Sequence, residues 1–88
     1  MRSQFNTFNE LDCGKLAQEV ADGVRRARAR TGLTQMEFSD LISSARPKTL
    51  RITRGDVSKY ETGRVVPPAH KYLKLIRASE KFIAQLFD

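Results

Sequence analysis

The sequence is poor in the residues on which metal and redox chemistry depend. Its 88 residues hold one cysteine, Cys13, and one histidine, His70. A single cysteine excludes an intramolecular disulfide and fits a reducing cytoplasm. A lone histidine far from it in sequence excludes a zinc cluster. Nothing around either residue points to an activated nucleophile; Cys13 reads as marking a helix start and His70 as lying on the exposed side of a helix. The five glycines form no phosphate-binding loop. No apolar run approaches the ~18 residues of a membrane span, and the opening MRSQFNTFNELD lacks the apolar stretch of a signal peptide. No alternating apolar–polar pattern persists, which argues against strands. The expectation is a cytoplasmic chain with no membrane partner, no metal and no cofactor. Its small size leaves no room for a deep catalytic cleft, so it is not expected to be an enzyme.

Positive charge is what the sequence has in excess. Sixteen lysines and arginines stand against ten acids, for a formal charge of +6. That balance favours a polyanion as partner, nucleic acid before membrane. The charge is uneven. Residues 25–30, RRARAR, are basic, and residues 46–64 hold Arg46, Lys48, Arg51, Arg54, Lys59 and Arg64 against Asp56 and Glu61. A solvated helix face would account for RRARAR alone. A second basic block with turn residues on both sides favours one anion-binding surface.

Residues 1–11 show no period and read as an N-terminal arm, with a domain over 12–88. From Asp12, a plausible N-cap, Leu16, Val20, Val24 and Ala27 recur at helical spacing, and Gly32 marks the stop. Gly23 in that helix suggests close packing. Thr34 and Glu37 have the spacing of a capping box, and Phe38, Leu41 and Ile42 give the second helix its apolar face, ending near Ser43. Thr53 is the N-cap candidate of a third helix closed by Gly63, with Val57 and Tyr60 inward and Arg54, Asp56, Ser58 and Lys59 outward. A fourth helix starts at Pro68. Ser79 offers a cap for a fifth, although neither glycine nor proline separates the two and one helix from Pro68 to Phe87 is equally allowed. The fold class is all-α, with five helices.

Two short hydroxyl-capped helices, the later one small, polar and basic, form a helix-turn-helix layout. The runs RARTGLTQ (28–35), FSDLI (38–42) and ITRGDVSKYETGRVVP (52–67) resemble the lambda-repressor/Cro (XRE-type) family of DNA-binding domains over roughly residues 16–77. Thr53, Val57, Tyr60, Glu61 and Gly63 fill family positions. One departure is evident: the link SSARPKTLRI between the second and third helices is about eight residues longer than the family's tight turn. Its Arg46, Lys48 and Arg51 belong either to a tolerated surface insertion or to a basic wing that reaches DNA.

The resemblance implies that the third helix enters the major groove with its N-terminal side chains against base edges. The readers then map to Arg54, Gly55 and Lys59, with Asp56 and Ser58 as further candidates. Arg54 suits a bidentate bond to guanine, and Gly55 permits close approach. Asp56 either accepts from cytosine or orients Arg54, the second being preferred. Gln35 and Thr53 look like phosphate clamps at helix N-termini, joined on the backbone by Arg64 and by Arg46, Lys48 and Arg51 of the link. Arg28 and Glu61 stand where the family has a structural ion pair.

One recognition helix reads few base pairs, and the family answers by dimerising on two-fold operators. The C-terminal run holds more apolar residues than one helix hides, and Phe82, Ile83, Leu86 and Phe87 are the candidates for a homodimer interface; the alternative is that all of them fold back on helix one. The functional expectation is a dimeric repressor, often of its own promoter, of the kind found in phages and mobile elements, acting on double-stranded DNA without a sensor domain. Two other readings stand beside it: an antitoxin that also binds a toxin protein, and a protein–protein adaptor that binds no DNA.

Overall fold

The computed structural model describes the backbone of residues 2–87 and the side chains of residues 14–87. Four helices follow in order: α1 (Arg2–Thr31), α2 (Gln35–Ser44), α3 (Arg54–Glu61) and α4 (Ala69–Leu86), with no strand among the described residues. The backbone of α1 is helical through Asp12 and Gly14 back to Arg2, so the expected start at Asp12 is not where this helix begins. Cys13 lies inside α1 and does not mark a helix start; its side chain and those of the expected arm lie outside the described residues.

Local chemistry sets most of the boundaries. Gly32 adopts φ +72°, and its amide donates to the carbonyls of Arg28 (3.1 Å) and Ala29 (3.2 Å), which ends α1. A full capping box opens α2. The Glu37 amide donates to Thr34 Oγ1 at 3.2 Å, and the Thr34 amide to Glu37 Oε1 at 2.9 Å. The bond from the Thr34 amide, with the Thr34 hydroxyl close to the same carboxylate, holds the Glu37 carboxyl below its ordinary pKa.

The five-helix expectation is corrected at Ser79. Instead of capping a new helix, Ser79 is buried inside α4 and its hydroxyl donates to the Ile76 carbonyl at 2.7 Å. With its hydroxyl satisfied by the preceding turn, serine is tolerated in mid-helix, so α4 runs unbroken for 18 residues.

Each of α1 and α2 packs against both α3 and α4. Val24 and Ala27 of α1, Phe38 and Ile42 of α2, Val57 and Tyr60 of α3, and Leu75 and Ala78 of α4 meet in one core with Ile52, the residue that leads into α3. Leu16, expected on the buried stripe of α1, is exposed. Gly23 faces Tyr72 of α4 closely enough that an added Cβ would meet the tyrosine hydroxyl inside contact distance and its Cζ at 3.4 Å.

Candidate nucleic-acid interface

Helix α3 is held to the body by one face. Val57, Tyr60 and Glu61 are buried, whereas Arg54, Gly55 and Lys59 are exposed and Ser58 is half-buried. Positions 54, 55, 58 and 59 are separated by one, four and five residues and therefore share the opposite side of the helix. Burial of Tyr60, aided by the carboxylate of Asp56, raises its phenol above the ordinary value, as suits a core residue.

The start of α3 is a second capping box. The Asp56 amide donates to Thr53 Oγ1 and the Thr53 amide donates to Asp56 Oδ2, both at 3.1 Å. Asp56 is thus engaged with the backbone of its own cap, and its contact is with Thr53 rather than with Arg54. Thr53 is exposed, and because its hydroxyl oxygen accepts, its proton remains for an outside acceptor. At the other end Gly63 takes φ +76°, with Arg64 N donating to the Lys59 carbonyl at 3.0 Å and Gly63 N to that of Tyr60 at 3.3 Å. This is the Schellman arrangement. It leaves Arg64 exposed just beyond the helix.

A polar hub ties three helices together behind this face. Arg28 Nε donates to Glu61 Oε2 at 2.6 Å and Arg28 Nη2 to Oε1 at 3.3 Å. Arg28 Nη1 also reaches the Leu33 carbonyl at 3.0 Å. Gln35 Nε2 donates to Glu61 Oε1 at 2.9 Å. One N–H of the Gln35 amide is therefore spent on Glu61, and only the second is left for a phosphate. Arg25 joins the hub by donating to the Glu61 carbonyl, and it pairs with Asp22; the sequence signal for it was no more than its place in RRARAR.

The long link between α2 and α3, residues 45–53, is anchored at both ends of its path. Ser43 Oγ donates to the Ile52 carbonyl at 2.9 Å and accepts from the Ile52 amide at 3.1 Å. Lys74 of α4, only 6% exposed, donates to the carbonyls of Pro47 and Leu50, both at 2.6 Å. Burial pulls the Lys74 ammonium below its ordinary pKa. Sequence reasoning missed this clamp. The available signal was its place beside Leu75 and four residues before Ala78, on the stripe that α4 buries. The peptide bond Arg46–Pro47 is cis. Arg46, Lys48 and Arg51 project from the anchored link and are exposed.

The C-terminal candidates divide. Phe82 and Ile83 are half-buried, while Leu86 is 60% and Phe87 84% exposed. Among the described residues there is no cluster of His, Cys, Asp and Glu able to hold a metal, and no helix long and apolar enough to cross a membrane.

A sequence model described as helix-turn-helix domain matches residues 19–80. The chain belongs to the helix-turn-helix domain family. The matched stretch runs from the middle of α1 into α4 and includes the capped α2, the link and the capped α3, in keeping with the XRE-type resemblance of its motifs. No curated protein and no solved structure matches the chain. In this helix-turn-helix domain the runs that resemble the family's motif fall on α2 and α3. Membership points to a DNA-binding regulator, since such domains are binding modules rather than catalysts.

Proposed function

We propose that this helix-turn-helix protein is a sequence-specific transcriptional regulator that binds double-stranded DNA as a homodimer and represses from a palindromic operator. The observation that carries the reading is the single outward face of α3, basic and small, on a helix whose opposite face is fixed in the core. An α-helix fits the major groove, and residues near its N-terminus come closest to base edges.

In this reading Arg54 makes a bidentate bond to guanine O6 and N7. Gly55 lets the backbone approach, and Ser58 and Lys59 contact neighbouring base edges. Asp56 acts through the cap rather than on a base. Thr53 and Arg64 hold phosphates at the two ends of α3, with the second N–H of Gln35 at the start of α2. The exposed Arg46, Lys48 and Arg51 extend the backbone contact from a link that is fastened in place. These contacts set the register of the protein on the duplex; the α3 face selects the sequence.

The exposed Leu86 and Phe87, continuous with the half-buried Phe82 and Ile83, supply the surface for a second copy. Residues 1–11, whose backbone from Arg2 on continues α1, serve as the N-terminal arm. The same apolar end supports one further reading, an antitoxin whose tail covers a toxin; a toxin that co-purifies with the chain would favour it.

Selection of bound duplexes from a random pool tests the proposal. A palindromic winner is expected. Recovery of no enriched sequence would refute base-specific binding, and an asymmetric winner would refute the two-fold dimer.

A further inference from the structure

The link that lengthens this helix-turn-helix motif does more than bridge two helices. Folded back on α4, it closes one wall of a cavity of about 560 Å³ between residues 44–50 and one side of α4. That volume falls within the ~300–1,000 Å³ of small-molecule sites. Its apolar lining comes from Ala45, Pro47, Leu50, Leu73 and Ala78. The charged and titratable groups in the lining are Arg46, His70, Lys74, Arg77 and Lys81, with no aspartate or glutamate among them.

Lys74 gives the cavity its character. The residue is almost fully buried, yet the partners of its ammonium are two neutral carbonyls, and no carboxylate pairs with it among the described residues. Two carbonyls satisfy two of its three N–H donors and leave the full charge uncompensated. A buried ion without a counter-charge is costly, and an anion seated beside it would lower that cost. Arg77 and Lys81, four residues apart on α4, lie on the same side of the helix and add to the field.

We propose that this cavity binds a small amphipathic anion, its acidic group held by Arg77, Lys81 and Lys74 and its apolar body laid against Leu50 and Leu73. A DNA backbone is a poorer occupant, because a phosphate chain has no apolar part to cover those leucines. The ligand would sit on the segment whose next residues are Ile52, pinned to Ser43, and Thr53, the cap of α3. Occupancy therefore bears on the orientation of the α3 start, and this regulatory consequence rests on the DNA-binding reading above; the binding itself does not.

The test uses the full chain and the fluorescent anion anilinonaphthalene sulfonate, with uncharged N-phenylnaphthylamine as its neutral counterpart. Saturable binding of the sulfonate at one site is expected, with the neutral compound at least about tenfold weaker. Arg77→Gln/Lys81→Gln, both exposed and so compatible with folding, should weaken the sulfonate by about tenfold or more. Arg26→Gln/Arg30→Gln, equal in charge change but on α1, should not. The overturning results are equal affinity for the neutral compound, an unchanged affinity in the Arg77→Gln/Lys81→Gln variant, or no saturable binding. A parallel loss of random-duplex affinity in that variant would assign the two cations to the phosphate backbone and also overturn the proposal. If the chain binds the sulfonate as expected but no duplex at all, the DNA reading fails and the cavity stands.

Discussion

The Arg28–Glu61 hub offers the sharpest test of how α3 is held. The two partners are unequal: the Glu61 side chain is 7% exposed and that of Arg28 is 29% exposed. Arg28→Met would leave a buried carboxylate with Gln35 as its remaining side-chain partner, and breaking a buried pair from that side costs about 3–5 kcal/mol. Glu61→Gln leaves an arginine that still reaches the Leu33 carbonyl and partly meets water, with an amide in place of the carboxylate. Its cost should be nearer ~1–2 kcal/mol. In a domain of this size each kcal/mol shifts the melting temperature by roughly 4–8 °C. The first variant should therefore melt well over 10 °C lower and the second only several degrees. Combining the two removes the buried unpaired charge, so the double variant should be more stable than the sum of the losses by about 1–3 kcal/mol. Urea unfolding followed by far-ultraviolet circular dichroism measures all four corners of the cycle. Losses of equal size from the two single changes, or losses that add to within ~0.5 kcal/mol, would refute the view that a buried carboxylate is the centre of this hub.

The remaining predictions concern the face, the caps and the packing. Arg54→Ala should relax preference at one base pair per half-site by about 1–3 kcal/mol, whereas Lys48→Ala should weaken specific and random duplex alike and lower the salt slope by about one; titration of both duplexes over a salt series distinguishes them. Thr53→Ala should cost about 1 kcal/mol by removing the cap of α3, and Thr53→Ser should restore most of it, as read by denaturant midpoints. The folded-state pKa of Glu37 lies below its unfolded value of 4.5. Its contribution to stability is therefore complete above pH 4.5 and lost as pH falls through the lowered value, and Glu37→Gln should flatten that part of a melting-temperature profile. Gly23→Ala should be more harmful in the native background than in a Tyr72→Phe background, because the second change removes the hydroxyl that the new methyl would meet; equal effects in the two backgrounds would contradict the packing described for α1 and α4.

The parts of this fold legible in the sequence are those set within a few residues. Thr34 and Glu37 show their capping box by spacing alone, and Gly32 and Gly63 mark ends where the chain needs φ above zero. The alternation that turns Val57 and Tyr60 inward leaves Arg54 and Lys59 outward, so the candidate face of α3 can be drawn without coordinates. Asp56 was harder to read. Its carboxylate has several uses open to it in sequence, and only the folded cap shows that it accepts from Thr53. Ser79 is ambiguous in sequence for a related reason: a hydroxyl can cap a helix or bond back one turn, and its burial against the core decides for the second.

What the sequence determined by itself is therefore the helical class, most helix boundaries and the placing of basic residues on an outward face, because these follow from hydrogen bonds and periodicities spanning one or two turns. Tertiary structure alone decided the path of the long link, the convergence of Gln35 and Arg28 on Glu61, and the burial of Lys74. Apart from the Ser43–Ile52 bonds of the link, which span nine residues, these join groups 24 to 33 residues apart. No local rule ranks such partners, and the choice was made by packing, where a charge taken out of water must find its acceptors among whatever the core brings near.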